Sequence, residues 1–342
     1  MDYLRPVEFG LFVTPAAAAL DNCFALARIA DGKVELLGVQ DHPYQQAFVD
    51  TFTLIGALLD RTEEVRVFPD VANLPLRPPA VMAQAAATLD VLSEGRFELG
   101  LGAGAFWPAI AAMGGPEHTP GEAAGALKEA VEVIRLMWSG ERSVRFHGEH
   151  YRLDGVRPGP RPAHDIGVWL GVGGPKLLRF LGGHADGWAP SNSFFPPPTL
   201  PERHAAIDDG ARAAGRDPAA IRRVYNIFGS IDDAPSDEPF HGTVEQWTER
   251  LTGLVVDTGM DTFVFGAQDD DYEQCRRFVE DVAPRVRRRV AEVLELTQLT
   301  EFATRHGVDE VMISPVAGSS DDEPMDATIG RTRTLELLTP GV

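Results

Sequence analysis

The sequence predicts a (β/α)8 TIM barrel, and three observations carry that prediction. Short Val/Leu/Phe-rich runs alternate with longer amphipathic stretches through eight units, the rhythm of parallel strands joined by crossover helices. Glycines gather after the fourth and fifth runs, at Gly100–Gly104 and Gly171–Gly174, which suits a ligand lying across a barrel mouth. The first run leads into Pro15 and an alanine stretch. An open doubly wound sheet, the competing architecture, would need a glycine-rich phosphate loop at that point.

The elements follow in order. The first strand is expected at Val7–Thr14 with a helix near Asp21–Asp31, and the second at Leu36–His42 with a helix over Thr51–Arg61. The third, Val65–Val71, precedes a helix over Pro79–Ser93, whose prolines at 78 and 79 suit a first helical turn. The fourth, Phe97–Gly102, is followed by a helix over Gly121–Trp138. Alternation between Ser143 and Leu153 reads as a small hairpin turning at Gly148, an excursion from the barrel ahead of the Pro/Gly-rich link Arg157–Pro162. The remaining strands are expected at Gly167–Val172, Trp188–Ser191, Arg223–Ile231 and Thr262–Phe265, with helices at Pro175–Gly182, Pro201–Gly215, Val244–Thr258 and Tyr272–Val290. Residues 1–290 then form the barrel. Residues 291–342 form a C-terminal extension, with a helix over Leu299–His306, another strand over Val308–Pro315, and a mobile loop over Ser319–Asp326. A barrel closed at eight strands has no slot for that additional strand.

Composition narrows the function classes. Apolar residues at 44% and charged residues at 24% are those of a globular chain. A formal charge of −20 opposes a phosphate backbone, so nucleic acid is not an expected partner. The arginines at 285, 287, 288 and 289 read as a solvated helix face. Cys23 and Cys275 stand far apart in unlike contexts, which gives neither a disulfide framework nor a cysteine metal site. Met1–Pro6 carries no basic region leading into an apolar stretch, and no apolar run reaches spanning length, so a cytoplasmic enzyme without a membrane partner is expected.

The chemistry is expected at the strand ends. Asp41-His42-Pro43-Tyr44 closes the second strand, where barrel enzymes place reactive groups. An imidazole there can donate or accept a proton near neutral pH, and a neighbouring carboxylate can orient it. Side chains alternate along a strand, so Asp41 need not touch His42; a structural histidine in a loop is the plainer alternative. The proline-rich run Phe68–Pro79 must leave the ladder as a shaped loop. A bulge there could support the face of a planar ring, with Asn73 and Arg77 as donors, or the run could be a plain turn into the next helix.

Gly102-Ala103-Gly104 lets backbone approach a ligand, although glycine also serves turns and close packing. Gly173-Gly174-Pro175-Lys176 opens a helix whose free N–H groups, with Lys176, suit a phosphate. Phe106, Trp107, Phe194 and Phe195 lie beyond strand ends and could wall an apolar substrate pocket, or pack under loops. The remaining histidines lack an i, i+4 pair or a matching acid, so no metal site is expected.

The Asp41-His42-Pro43 strand end, the Asn73-Leu74-Pro75-Leu76-Arg77 loop, the string Leu92-Ser93-Glu94-Gly95-Arg96-Phe97-Glu98-Leu99-Gly100-Leu101-Gly102 and Ala185-Asp186-Gly187-Trp188 together resemble the bacterial luciferase-like monooxygenase family. The resemblance runs from Val7 to about Val290. It implies a barrel, a homodimer in many members, and use of either FMN or the deazaflavin F420. It also implies roles: His42 as the active-site histidine, Asp70-Val71 as a bulge that often holds a non-proline cis peptide beneath the ring, and Asn73 as a ring-side polar group. Gly102–Gly104 match the strand-four cofactor contacts, and Gly173 with Gly174 the phosphate-side donors.

The substrate side does not carry over, because Ala105-Phe106-Trp107 stands where the family's sugar-phosphate dehydrogenases have an acid. The Gln40-Asp41-His42 strand end is more similar to the Asp-His pair of deazaflavin-dependent members than to the Glu-His pair of the light-emitting branch, which favours F420 and hydride transfer. An FMN monooxygenase using oxygen and a catalytically silent flavin-binding protein are the alternatives.

Overall fold

The computed structural model describes residues 5–306, 310–313 and 333–336, with side chains through residue 297. Two units are distinguished, residues 1–286 and 287–342. The first contains eight parallel barrel strands: β1 Glu8–Val13, β2 Leu36–Val39, β3 Arg66–Pro69, β4 Leu99–Gly102, β5 Val168–Gly171, β6 Gly187–Trp188, β7 Arg222–Phe228 and β8 Thr262–Gly266. Their order is β3-β2-β1-β8-β7-β6-β5-β4. The ring closes between its two ends, where the Val67 N–H donates to the Arg96 carbonyl at 2.9 Å and the Glu98 N–H to the Val67 carbonyl at 3.2 Å. After a bulge the third strand resumes as Ala72–Asn73, which pairs with Leu101 and Gly102 of β4.

The strands pack an interior of Phe12, Leu36, Phe68, Trp169, Ala189, Val224 and Val264, with Val71 and Phe228 against it. These come from nearly every strand, as expected when inward side chains stack in layers. β4 is the exception, because it turns glycines inward. A Cβ on Gly100 would fall 2.2 Å from the Pro69 carbonyl and 3.1 Å from Val71 Cγ1. The third strand's bulge therefore fills the space that β4 leaves.

The connecting helices begin with α1 Leu20–Ala30, α2 Thr51–Leu59, α3 Pro79–Leu92, α4 Trp107–Ala112 and α5 Pro120–Trp138. They continue with α6 Pro175–His184, α7 Leu200–Ala213, α8 Val244–Gly253 and α9 Tyr272–Arg277. The ends of several are set by side chains. Thr119 and Glu122 form a reciprocal capping box at α5, and Thr243 and Gln246 do the same at α8. The hairpin pairs Val144–His147 with Arg152–Val156, and the Gly148 N–H donates to the Tyr151 carbonyl at 2.9 Å. Its tip is tied to α5, since the Glu129 carboxylate accepts the N–H groups of Glu149, His150 and Tyr151.

Three local differences from the sequence reading have physical causes. β6 stops at Trp188 rather than Ser191, because Pro190 has no N–H to continue a ladder. The short helix α4 was not anticipated; Phe106, in the left-handed region, and Pro108 at its second position start it. The helices after β7 and β8 pass into wide turns, at Leu254–Thr258 and Phe278–Val282.

Beyond these, α10 spans Ala283–His306 without the break expected before Leu299. In the second unit Glu310–Ile313 forms a strand that pairs antiparallel with Arg333–Glu336. Ser319–Asp326 lies outside the described residues.

The amino ends of the strands are held by ion pairs: Arg66 bridges Glu8 at 2.5 Å and Glu98 at 2.9 Å, and Arg222 reaches Glu8 at 3.2 Å. A 690 Å³ cavity at this end is lined by Arg135, Arg161, His164 and Asp186. Barrel chemistry belongs at the opposite, carboxyl end.

Candidate active site

His42 lies three residues past the end of β2, half-buried at the mouth. Its Nδ1 is 2.6 Å from the hydroxyl of Tyr44. Phe106, from the loop after β4, sets its ring edge-on to the imidazole at 5.8 Å and tilted to Tyr44 at 6.1 Å. Burial holds the imidazole's pKa below its usual value, with the Asp41 charge pulling the other way. Burial, then Asp41, raises the Tyr44 phenol. At neutral pH the pair is thus a neutral imidazole facing a neutral phenol. A phenol both donates and accepts, so it can serve either tautomer and leave Nε2 as donor or as acceptor.

Asp41 points away from His42. Its buried carboxylate accepts the Asn73 N–H at 2.8 Å and pairs with Arg77 at 3.0 Å, and Arg77 also binds Asp50 at 2.8 Å. Two carboxylates therefore share one guanidinium, which joins the ends of β2 and β3 to the start of α2. The Arg77 donors anticipated for a ligand are turned to these carboxylates. Asp41 acts on His42 through the backbone it fixes and through its charge.

At the third strand's bulge the Asp70–Val71 peptide is cis, the feature that the resemblance implied. Val71 fills the space over β4 and β5: a Cβ on Gly102 or on Gly171 would each lie 2.9 Å from its Cγ2. Gly102 therefore makes room for Val71. Gly104 adopts φ +103°, and a Cβ there would meet Pro75 at 2.6 Å and the Trp107 ring at 2.8 Å; Ala103 stands between, half-buried. Asp70 is buried beneath the bulge. Its Oδ1 accepts from Asn226 Nδ2 at 2.9 Å, and its Oδ2 has no partner and occupies the space left by Gly38. Burial pushes its pKa up to about 7, and the Asn226 bond opposes this. Asn73 Oδ1 is likewise buried without a partner.

Across the mouth, Gly174 precedes α6 with Pro175 as the first helical residue, and no side chain caps the helix. The first-turn N–H groups of a helix lack carbonyls, and nothing lies within 4 Å of where a Gly174 side chain would stand. Lys176 is exposed beside them. Gly173 is different, because a Cβ there would fall 2.2 Å from the Phe195 ring. Phe195 is held by Arg203 at 4.9 Å over its face and by Tyr225, whose hydroxyl donates to its carbonyl at 2.6 Å. Phe194 is 76% exposed. Trp107 turns toward His118, at 5.7 Å. Of the four aromatics anticipated for a pocket, Phe106 is the one in ring contact with His42.

Residues 8–238 match the family model of luciferase-like monooxygenases. The chain belongs to that family. Among its relatives is an F420-dependent glucose-6-phosphate dehydrogenase from Intrasporangium calvum, 34% identical over 53% of this chain and 55% of the relative. The chain spans about half the length of the first such relatives it matches. In fold it is similar to an F420-dependent secondary alcohol dehydrogenase in complex with an F420-acetone adduct, with TM-score 0.72 and 20% identity over 82% of this chain and 99% of that one. It is also similar to a type II Baeyer-Villiger monooxygenase from Pseudomonas putida in complex with FMN, with TM-score 0.68 and 18% identity over 82% and 99%.

Within this luciferase-like barrel, sequence reasoning missed Tyr44 as the partner of His42, although the two stand two residues apart in one motif. It also missed Asn226, 156 residues from Asp70, for which no local signal exists.

Proposed function

We propose that the chain is a luciferase-like oxidoreductase that works with the deazaflavin F420 on a small organic molecule, with His42 moving a proton at the substrate's oxygen. The observation that carries this is the His42–Tyr44 pair at the mouth, 2.6 Å apart.

The residues present fit a flavin-like group. Val71 would support the ring, Asn73 offers a buried side-chain carbonyl oxygen without a partner, and the uncapped start of α6, opened by Pro175, offers a phosphate tail the N–H groups of Gly173, Gly174 and Lys176 and the Lys176 ammonium. A bound deazaflavin would supply two-electron hydride chemistry. His42 handles the proton: a bare Nε2 of the neutral imidazole would accept it from a hydroxyl, giving the imidazolium, and the imidazolium would return it from Nε2 to a carbonyl oxygen that gains charge. Tyr44 holds the ring in either state, and Asp41 with Arg77 fixes the loop.

F420 is preferred to FMN with oxygen because the relatives at 34% identity are named for it. The same reading takes the enzyme to be a homodimer, as many family members are, and cytoplasmic, a compartment in keeping with the two buried free thiols.

Anaerobic turnover with F420 across a panel of alcohols and ketones tests the assignment. A silent binding protein would take the cofactor and never turn over, and turnover that requires FMN and oxygen would replace F420.

A further inference from the structure

The strongest unexplained feature at the mouth is Phe106. It is 63% exposed, yet its backbone sits at φ 58°, ψ 48°, a left-handed conformation that bulky side chains rarely adopt. Exposed rings on strained backbone call for a reason beyond packing. Here the strained residue presents its ring beside His42 and Tyr44.

The charges around it favour one kind of ligand. The Asp41 charge bears on both the imidazole and the phenol. It shares Arg77 with Asp50, so two carboxylates stand against one cation and the local balance is negative. A phosphate or carboxylate on the substrate would meet repulsion at this wall, with Arg77 already engaged. On the same pair of loops, Pro75, which lies with the Trp107 ring against Gly104, lines a 540 Å³ cavity with Leu74, Leu76 and Met113 on one part and His118, His150 and Tyr151 on another. The lining is aliphatic and aromatic, with two imidazoles and a phenol as its polar groups.

We infer that Phe106, Tyr44 and His42 form a recognition wall for an uncharged ketone, or its alcohol, that carries an aromatic or conjugated group next to the reacting carbon. This rests on the reading of His42 as the group that exchanges a proton with substrate. The flat group lies against Phe106 while the oxygen reaches His42. A sugar phosphate is disfavoured by the same wall.

Saturation-transfer NMR on the full chain, with and without F420, tests this using acetophenone, acetone and glucose 6-phosphate as probes. Acetophenone is expected to bind most tightly and glucose 6-phosphate most weakly. Phe106→Ala should weaken acetophenone about three- to tenfold, the scale of an aromatic pair, and Phe106→Leu, which keeps apolar bulk, should lose part of that. Neither variant should melt much earlier, because the ring is largely exposed and both replacements keep the Cβ that the left-handed backbone already carries. Glucose 6-phosphate binding as tightly as acetophenone would overturn the wall, as would acetophenone affinity indifferent to both substitutions. If F420 gives no response while acetophenone still binds through Phe106, the cofactor reading falls and the wall stands.

Discussion

The hydroxyl of Tyr44 and Nδ1 of His42 lie 2.6 Å apart at the end of β2, and this contact decides how the imidazole can act. With one ring nitrogen held by the phenol, the other is free for a ligand. The contact also makes the roles of the two residues separable by mutation.

His42→Asn is expected to lower turnover by roughly 10²–10⁴, the scale of acid–base catalysis, with cofactor affinity unchanged. Tyr44→Phe keeps the ring and removes the hydroxyl, so kcat should fall about three- to tenfold, the worth of one hydrogen bond, with KM changed less. Because burial lowers the His42 pKa, the neutral imidazole prevails above the ordinary histidine value. A rate that depends on a proton acceptor should fall only on acidification below that value. Steady-state kinetics from pH 5 to 8 check all three. Near-normal turnover in His42→Asn would remove it from the mechanism.

Asp70 gives a stability prediction with a definite sign. Its folded pKa of about 7 lies above the ordinary 3.8, so between those values the folded state binds more protons than the unfolded one. Its contribution is fully present below the lower value and is lost as pH rises through the upper one. Asp70→Asn keeps the acceptor for Asn226 and cannot ionise. It should gain roughly 1–3 kcal/mol relative to wild type at pH 8 compared with pH 4.5, measured by urea unfolding. An equal difference at both pH values would show that Asp70 ionises normally.

How much of this was legible in the sequence follows from the range of each interaction. The eight strands were legible because their apolar runs and crossover helices are local patterns, and His42 because it ends one of those runs. The start of α6 was legible because proline and glycine mark turns. Pairings that join distant segments were not: Asp41 finds Arg77 36 residues on, and Asp70 finds Asn226 only once the ring has closed. The glycines of β4 misled in part. Their alternation suggested backbone offered to a ligand, whereas Gly100 and Gly102 clear the volume that Pro69 and Val71 occupy, which depends on a bulge in another strand.

The C-terminal segment yields a deletion test. All eight barrel strands are complete by Gly266, and the division between units falls after Val286. A chain ending at Arg289 is therefore expected to fold and bind cofactor, with circular dichroism and a cofactor titration as readouts. An insoluble or unfolded product would mean that later residues complete the barrel's core. Sedimentation of the same truncation reports whether the segment sets the oligomeric state.

The central claim, a deazaflavin at the mouth with its tail at α6, is tested most directly by titrating the cofactor-free chain with F420 and with FMN while following tryptophan fluorescence. Trp107 and Trp188, at the ends of α4 and β6, are the expected reporters. The account predicts saturable F420 binding at least about tenfold tighter than FMN, a difference of about 1.4 kcal/mol, and clear weakening in Gly174→Val, where a side chain would enter the open space before the helix. Tight FMN binding without an F420 response, or equal F420 affinity in Gly174→Val, would contradict it.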